Sequence, residues 1–376
     1  MIIAINTRFL KNGREEGYGY FIEEIFLRIV RQHPEHRFYF LFDRAVPSGL
    51  SLPENVTCKA VAPPARHPLL WFAWYNVSIP VLLKKIKADV FVSPDGFCSL
   101  STSVPQCIVV HDLAFLHYPE FLPRQQLMYY RWFMPRFLKK AKQVVTVSGF
   151  SKQDLEKNFP VCSGKTAVVY NAPNRVFRPL SWEEKELVKQ QYTGGVEYFF
   201  YCGAIHPRKN LLSLLKAFSA FKKRQKSQMK LVITGRLAWK NQSFERLLNT
   251  FKYRADVILT GYLDRGELAR LTAAAYAMVY PSLFEGFGVP PLESLQSGVP
   301  AIVARTSAMP EIGGDAYLYF DADREQDLAE KMMLLYKDET LRARLVANGE
   351  QRLALFSWDV SAGQMWQCIL KAAAAE

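Results

Sequence analysis

The stretch YPSLFEGFGVPPLESLQSGVPAI, residues Tyr280–Ile302, decides the reading of this chain. The apolar run that ends at Tyr280 predicts a buried strand. Gly286 and Gly288 carry no Cβ, so backbone amides there can turn toward a ligand. Pro290 and Pro291 suit the first turn of a helix, where a missing N–H loses no partner, and the spacing predicts a helix starting near Pro290. A helix start gathers spare amides and the positive end of the dipole, which together make an anion site suited to a diphosphate. Glu285 and Glu293 have seven residues between them. Glu285 is expected on the loop and Glu293 in the first helical turn, both flanking one pocket at the carboxyl end of a parallel sheet. Carboxylates accept paired hydrogen bonds from vicinal hydroxyls, as a ribose or hexose offers. The plainer alternative is a helix start with a stabilising Glu, and the joint placement of Gly, Pro and Glu argues against it.

Working outward, YCGAIHPRKNLLSLLKAF (Tyr201–Phe218) repeats the arrangement. A strand ends at Gly203, and Arg208, Lys209 and Asn210 follow at the start of a helix. Cations there oppose the helix dipole. A bound anion would resolve the conflict, and Arg and Lys both suit phosphate; a solvated turn is the alternative. In IVVHDLAFLHYPE (Ile108–Glu120), His111 and Asp112 end a buried strand, where side chains face the ligand in such sheets. Gly17-Tyr18-Gly19 follows the first strand and is either a loop that approaches donor phosphate or acceptor, or a plain tight turn.

Around these motifs the pattern is strand, turn, helix. Strands are predicted at Ile2–Asn6, Arg37–Phe42, Asp89–Val92, Gln106–Val110, Gln143–Val147 and Thr166–Val169, with helices over Phe21–Val30 and Leu127–Lys140. NAPNRVFRPLSWEEKEL (Asn171–Leu187) breaks the series. It resumes with strands at Tyr198–Cys202, Lys230–Thr234, Val257–Thr260, Met278–Tyr280 and Ala301–Val303. Two such series predict an α/β chain of two Rossmann-like domains facing each other across a cleft. The expected division is residues 1–175 and 176–355. A helical tail over residues 356–376 is expected to pack back onto the first domain.

At 376 residues, with 49% hydrophobic and 22% charged side chains, the chain can bury a sizeable core and is neither disordered nor collagen-like. Its net charge of +13 is uneven: residues 1–180 hold twenty-three basic and thirteen acidic side chains, residues 181–376 twenty-five and twenty-two. A basic first half fits an anionic partner or simply an uneven surface. The six cysteines lack ligand spacing and read as reduced core residues of a cytoplasmic protein. MIIAINTRFL reads as a strand, not a leader. Asp321-Ala322-Asp323 spells a D-x-D, but Asp323 is better read as the N-cap of a helix over Arg324–Leu334, so no metal is expected. The basic tract Phe221–Lys230 reads as a helix end without an aromatic stacking platform, so no nucleic-acid partner is expected. Leu69–Lys87 and Pro123–Lys142 are aromatic, apolar and end in cations. They are either buried helices or basic amphipathic helices lying on an acidic membrane, which would place the protein at its inner face.

Taken together, Glu285–Glu293 with its GFGVPPL interior resembles the E-x7-E signature of retaining glycosyltransferase family 4. GYLDRGELARLTAAAYAMVYPSLF, the GAIHPRKN turn, the HDL strand end and the closing FSW are similar to that family too. The resemblance covers nearly the whole chain and is strongest over residues 196–320. It implies a GT-B fold with the nucleotide sugar held mainly by the second domain. By position it implies that Glu293 binds ribose hydroxyls and that Glu285 sits near the transferred sugar. Gly286, Phe287, Gly288 and Val289 would contact the donor, and Gly203, Gly17 and Gly19 would line its site. Lys209 and Arg208 would neutralise the diphosphate, and His111 would contact the sugar near the reacting carbon. Many members place an Arg directly after the strand-end glycine, where this chain has Ala204. The loop NGREEGYGY (Asn12–Tyr20) is longer and more charged than the common form.

The resemblance implies transfer of a hexose from a nucleoside diphosphate sugar to a hydroxyl of a glycan or lipid-linked acceptor, with retention and without a metal or cofactor. RKN and GFGVPPLE look like those of mannosyltransferases of surface polysaccharide assembly, which implies GDP-mannose, with a UDP-sugar as the other candidate. A nucleotide-sugar epimerase or hydrolase of the same fold, and a non-catalytic two-lobed sugar-binding protein, remain the alternatives.

Overall fold

The computed structural model describes residues 1–10, 17–236 and 242–374. Of the loop Asn12–Tyr20, the stretch Asn12–Glu16 lies outside the described residues. The chain divides into two compact units: Met1–Asn171 with Ser357–Glu376, and Ala172–Phe356.

Unit 1 is built on a seven-stranded sheet: β1 (Ile2–Asn6), β2 (Arg37–Phe42), β3 (Val56–Ala60), β4 (Val90–Ser93), β5 (Gln106–Val110), β6 (Gln143–Thr146) and β7 (Thr166–Val168). The strand order is β3-β2-β1-β4-β5-β6-β7, and all pairs are parallel. β4, β5 and β6 are buried along their whole length, as runs such as QCIVV require when helices cover both faces. β3 was not evident in the sequence because VTCKA is a largely exposed edge strand with no apolar run. The terminal helix Trp358–Ala374 belongs to this unit. It packs on the helix Tyr18–Gln32 through Trp358 against Tyr20 and Phe21, an Arg28–Asp359 ion pair of 2.8 Å, and Trp366 stacked on His33.

Unit 2 repeats the plan with six parallel strands: β8 (Tyr198–Cys202), β9 (Lys230–Thr234), β10 (Val257–Gly261), β11 (Ala277–Tyr280), β12 (Ala301–Ala304) and β13 (Tyr317–Phe320). Their order is β10-β9-β8-β11-β12-β13. β13, YLYF, is the second strand absent from the sequence reading, and it too lies at a sheet edge. In each sheet the order reverses once, between β1 and β4 and between β8 and β11. Connections leave opposite faces there and open a crevice at the carboxyl ends.

Two local expectations need correction. Asp323 is not an N-cap. The helix spans Glu325–Lys337, and Arg324 precedes it without a side-chain cap. Asp321 closes the turn instead: its carboxylate accepts from the Asp323 N–H at 3.0 Å while its own N–H donates to Asp327. Glu293 is not in the first turn. The helix is Val289–Gln296, so Glu293 is its fifth residue. The tract at Phe221–Lys230 does end a helix, Leu211–Gln225, whose last turn holds Lys222, Lys223 and Arg224.

Candidate active site

In unit 2 the crevice lies where β8 and β11 part. After β11 the chain runs Pro281 to Gly288 before the helix Val289–Gln296. Gly288 takes a left-handed conformation at the N-cap, φ 89°, and a Cβ there would meet the Met309 methyl at 2.2 Å. Both facts require glycine. Of the four leading helical residues, Pro290 and Pro291 have no N–H, so the amides at this end come from the glycine turn, Val289 and Leu292.

After β8, Gly203 has φ 146° and donates to the Thr234 carbonyl at 3.0 Å. A Cβ on Gly235 would fall 2.0 Å from the Gly203 oxygen, so the two strand ends touch backbone to backbone. Pro207–Lys209 then forms one 3-10 turn, and Asn210, left-handed at φ 54°, starts the long helix.

These two strand-end segments meet on Glu285. Its carboxylate pairs with Lys209 and, at 3.6 Å, with Arg208, and it accepts from Ser282 and from Tyr280 at 3.2 Å. Lys209 also donates to the Tyr280 hydroxyl at 2.9 Å. Arg208 donates to the Phe284 carbonyl, and the Leu283 N–H returns a bond to the Arg208 carbonyl at 2.9 Å. The Ser307 hydroxyl accepts from the Glu285 N–H at 2.8 Å. Burial alone would raise the Glu285 pKa. The charges of Lys209 and Arg208, with hydrogen bonds from Lys209 and Ser282, overcome burial and hold it down to about 2. The conflict between cations and a helix start is thus met by a carboxylate of the chain itself. Among the described residues, Glu285 pairs with both of these cations. Glu293 is buried in the helix that follows, and Cys202 at the end of β8 senses its charge.

Unit 1 brings His111, Gly17 and Gly19 together. His111 follows β5, and its Nε2 lies 2.9 Å from the Pro94 carbonyl. A carbonyl only accepts, so Nε2 carries the proton and Nδ1 a lone pair. Burial lowers the His111 pKa, favouring the neutral ring. Tyr18 and Phe21 meet the imidazole edge-on at 4.6 and 5.2 Å. Gly17, φ 41°, precedes that helix, and Gly19 is buried within it.

The sequence reading missed a buried network in this unit. Asp95, just past β4, accepts from Asn6, Arg8, Tyr75, Ser93 and the Phe97 N–H at 2.8 to 3.3 Å. Arg8 follows β1, and its guanidinium is boxed by the rings of Phe9, Tyr75 and Phe97. Burial opposes its charge most strongly, but Asp95 together with Tyr75, Asp43 and Tyr130 outweighs it, and the pKa is raised. The signal was available, since polar residues at strand ends pointed to His111 and apply equally to Asn6, Arg8 and Ser93. Unit 2 hid Tyr280, Ser282 and Ser307 in the same way.

Among known proteins, residues 183–352 match the family model described as glycosyl transferases group 1, and residues 26–174 match glycosyltransferase family 4. O-antigen chain mannosyltransferase RfbU of Salmonella typhimurium is 30% identical over 277 residues, 72% of each chain. O-antigen chain mannosyltransferase B of Escherichia coli is 28% identical over 250 residues, 66% of each chain. Among solved structures, sucrose-phosphate synthase from Thermosynechococcus elongatus aligns over 100% of both chains with a TM-score of 0.82 and 16% identity, a likeness of fold.

Proposed function

This chain belongs to glycosyltransferase family 4, and on that premise we propose that it moves a hexose, mannose in the first instance, from a nucleoside diphosphate sugar to a hydroxyl of a glycan or lipid-linked acceptor. Two relatives named as O-antigen mannosyltransferases support mannose over other sugars. GDP-mannose is the proposed donor and a UDP-sugar the second candidate.

The observation that carries the reading is the Lys209–Glu285–Arg208 cluster at the crevice of unit 2. In the proposed reaction the bond between the anomeric carbon and the diphosphate oxygen breaks, and a bond to the acceptor oxygen forms on the same face. The acceptor proton passes to the departing diphosphate. Negative charge grows on that leaving oxygen. Lys209 and Arg208, already fixed by a buried carboxylate, supply positive charge without reorganising, together with the Gly286–Val289 turn. That charge takes the place a metal would otherwise fill. Gly203 and Gly288 let backbone approach the donor, and Phe287 flanks it. Glu293 is assigned to the ribose hydroxyls and Glu285 to the sugar side. Unit 1 contributes His111 to the sugar, with Gly17 and Gly19 giving its first loop close approach. The proposed site of action is the cytoplasm.

The test is product analysis with a panel of nucleotide sugars, reading the anomer by NMR, in wild type and Lys209→Ala. Retained configuration and a kcat lower by about 10²–10³ in the variant, with activity unchanged by EDTA, are expected. Donor turnover without an acceptor product, or near-normal turnover of Lys209→Ala, would defeat the assignment.

A further inference from the structure

The loop that leaves β12 reaches back to the turn that carries Glu285. The Thr306 hydroxyl donates to the Ser282 carbonyl at 3.0 Å, and the Ser307 hydroxyl accepts from the Glu285 N–H at 2.8 Å. The Ala308 N–H donates to the Glu285 carbonyl at 3.4 Å. The Met309 methyl fills the space that a Cβ on Gly288 would need. Four consecutive residues thus hold the turn by its backbone, whereas Lys209 holds it by the Glu285 carboxylate.

Within that loop Ser307 is the strained member. Its φ is 47°, in the left-handed region. Among the described residues, Lys87, Asn210 and Lys226 are the other non-glycine residues with a positive φ. Lys87 and Lys226 end helices, where one left-handed residue is ordinary, and Asn tolerates that conformation. Ser307 ends no helix: it lies between β12 and the helix Met309–Gly313. Glycine would take this backbone at no steric cost. Serine adds to glycine only a CH2OH group, and the hydrogen bond of that group goes to the Glu285 N–H. Strain of this kind persists where the surrounding structure imposes it, and it gathers at active sites.

Peptide geometry gives the strain a use. The Glu285–Gly286 peptide is trans, so its C=O and N–H point to opposite sides. With the Glu285 carbonyl turned to Ala308, the Gly286 N–H points the other way. We propose that Ser307 is a positioning residue for glycosyl transfer: its hydroxyl fixes the backbone rotation at Glu285 and thereby the direction of the Gly286–Gly288 amides that meet the donor. The proposal rests on the transferase reading above. Ser307 acts through the Glu285 backbone and is assigned no contact with substrate.

Two substitutions separate positioning from stability. Ser307→Gly removes both the hydroxyl and the strain. Ser307→Thr keeps the hydroxyl and adds a β-branch that the left-handed region tolerates poorly. In Ser307→Gly the melting temperature should hold while kcat falls by about 10–10². In Ser307→Thr kcat should stay close to wild type while the melting temperature falls by about 2–4 °C. Amide hydrogen exchange over Glu285–Gly288 reads the turn itself. It should quicken about fivefold in Ser307→Gly, as for loss of one hydrogen bond, and stay unchanged in Ser307→Thr. Wild-type kcat in Ser307→Gly, exchange indifferent to the hydroxyl, or a kcat that follows melting temperature across both variants would overturn the proposal. A wild type that turns over no nucleotide sugar would defeat the transferase reading instead, and exchange would still decide whether Ser307 orients the turn.

Discussion

The crevices of the two units are built alike and charged differently. In each, a cation follows the first strand of the sheet and an acid follows its neighbour across the reversal: Arg8 after β1 and Asp95 after β4, then Arg208 and Lys209 after β8 and Glu285 after β11. In unit 1 one acid meets one cation, and aromatic rings close over both; their side chains are 5% and 1% exposed. In unit 2 one acid meets two cations, whose side chains are 22% and 13% exposed. The first arrangement is neutral and sealed, so it can only hold strands together. The second leaves its two cations more exposed, so they can hold strands together and still attract an anion. The topology is the same, and one extra cation and the greater exposure of the cations separate the two arrangements.

The comparison breaks most visibly in unit 1. Asp95→Ala leaves the Arg8 charge buried without its partner, and a loss of about 3–5 kcal/mol in stability is expected from denaturant titration. A loss under about 1 kcal/mol would mean the pair is no structural bond.

Glu285 sharpens the other half. Its folded pKa of about 2 lies below the usual 4.5, so its ionisation stabilises the fold above pH 4.5 and that share fades as pH falls toward 2. The share is about 3 kcal/mol, by the free energy of a pKa difference of that size. Glu285→Gln should therefore flatten the acid limb of stability while lowering it at neutral pH. An unchanged acid limb would show that Lys209 and Arg208 do not hold the carboxylate.

Most of the fold was legible, because buried parallel strands such as YFFYC and QCIVV are continuous apolar runs with turn residues at both ends. β3 and β13 were not: each is a short edge strand, and VTCKA lacks the burial that writes a strand into sequence. At the site, Lys209 stood out because a cation opposes the dipole of a helix start, and Gly288 and Glu285 because Gly, Pro and Glu fall jointly at one. Tyr280, Ser282 and Ser307 conflict with nothing, and only the folded loop shows them supporting Glu285. Asp95 and Arg8 escaped for another reason. Neither forms a motif, and their relation spans a long interval of chain that only the strand order closes.

The central claim, that Lys209 and Arg208 of unit 2 receive a nucleoside diphosphate, is tested most directly by titrating GDP and UDP into wild type and Lys209→Ala in a calorimeter. The account predicts saturable binding of at least one of them to wild type, weakened about tenfold or more by loss of one charge-assisted contact. Equal affinity in both proteins, or no binding of either nucleotide to wild type, would contradict it.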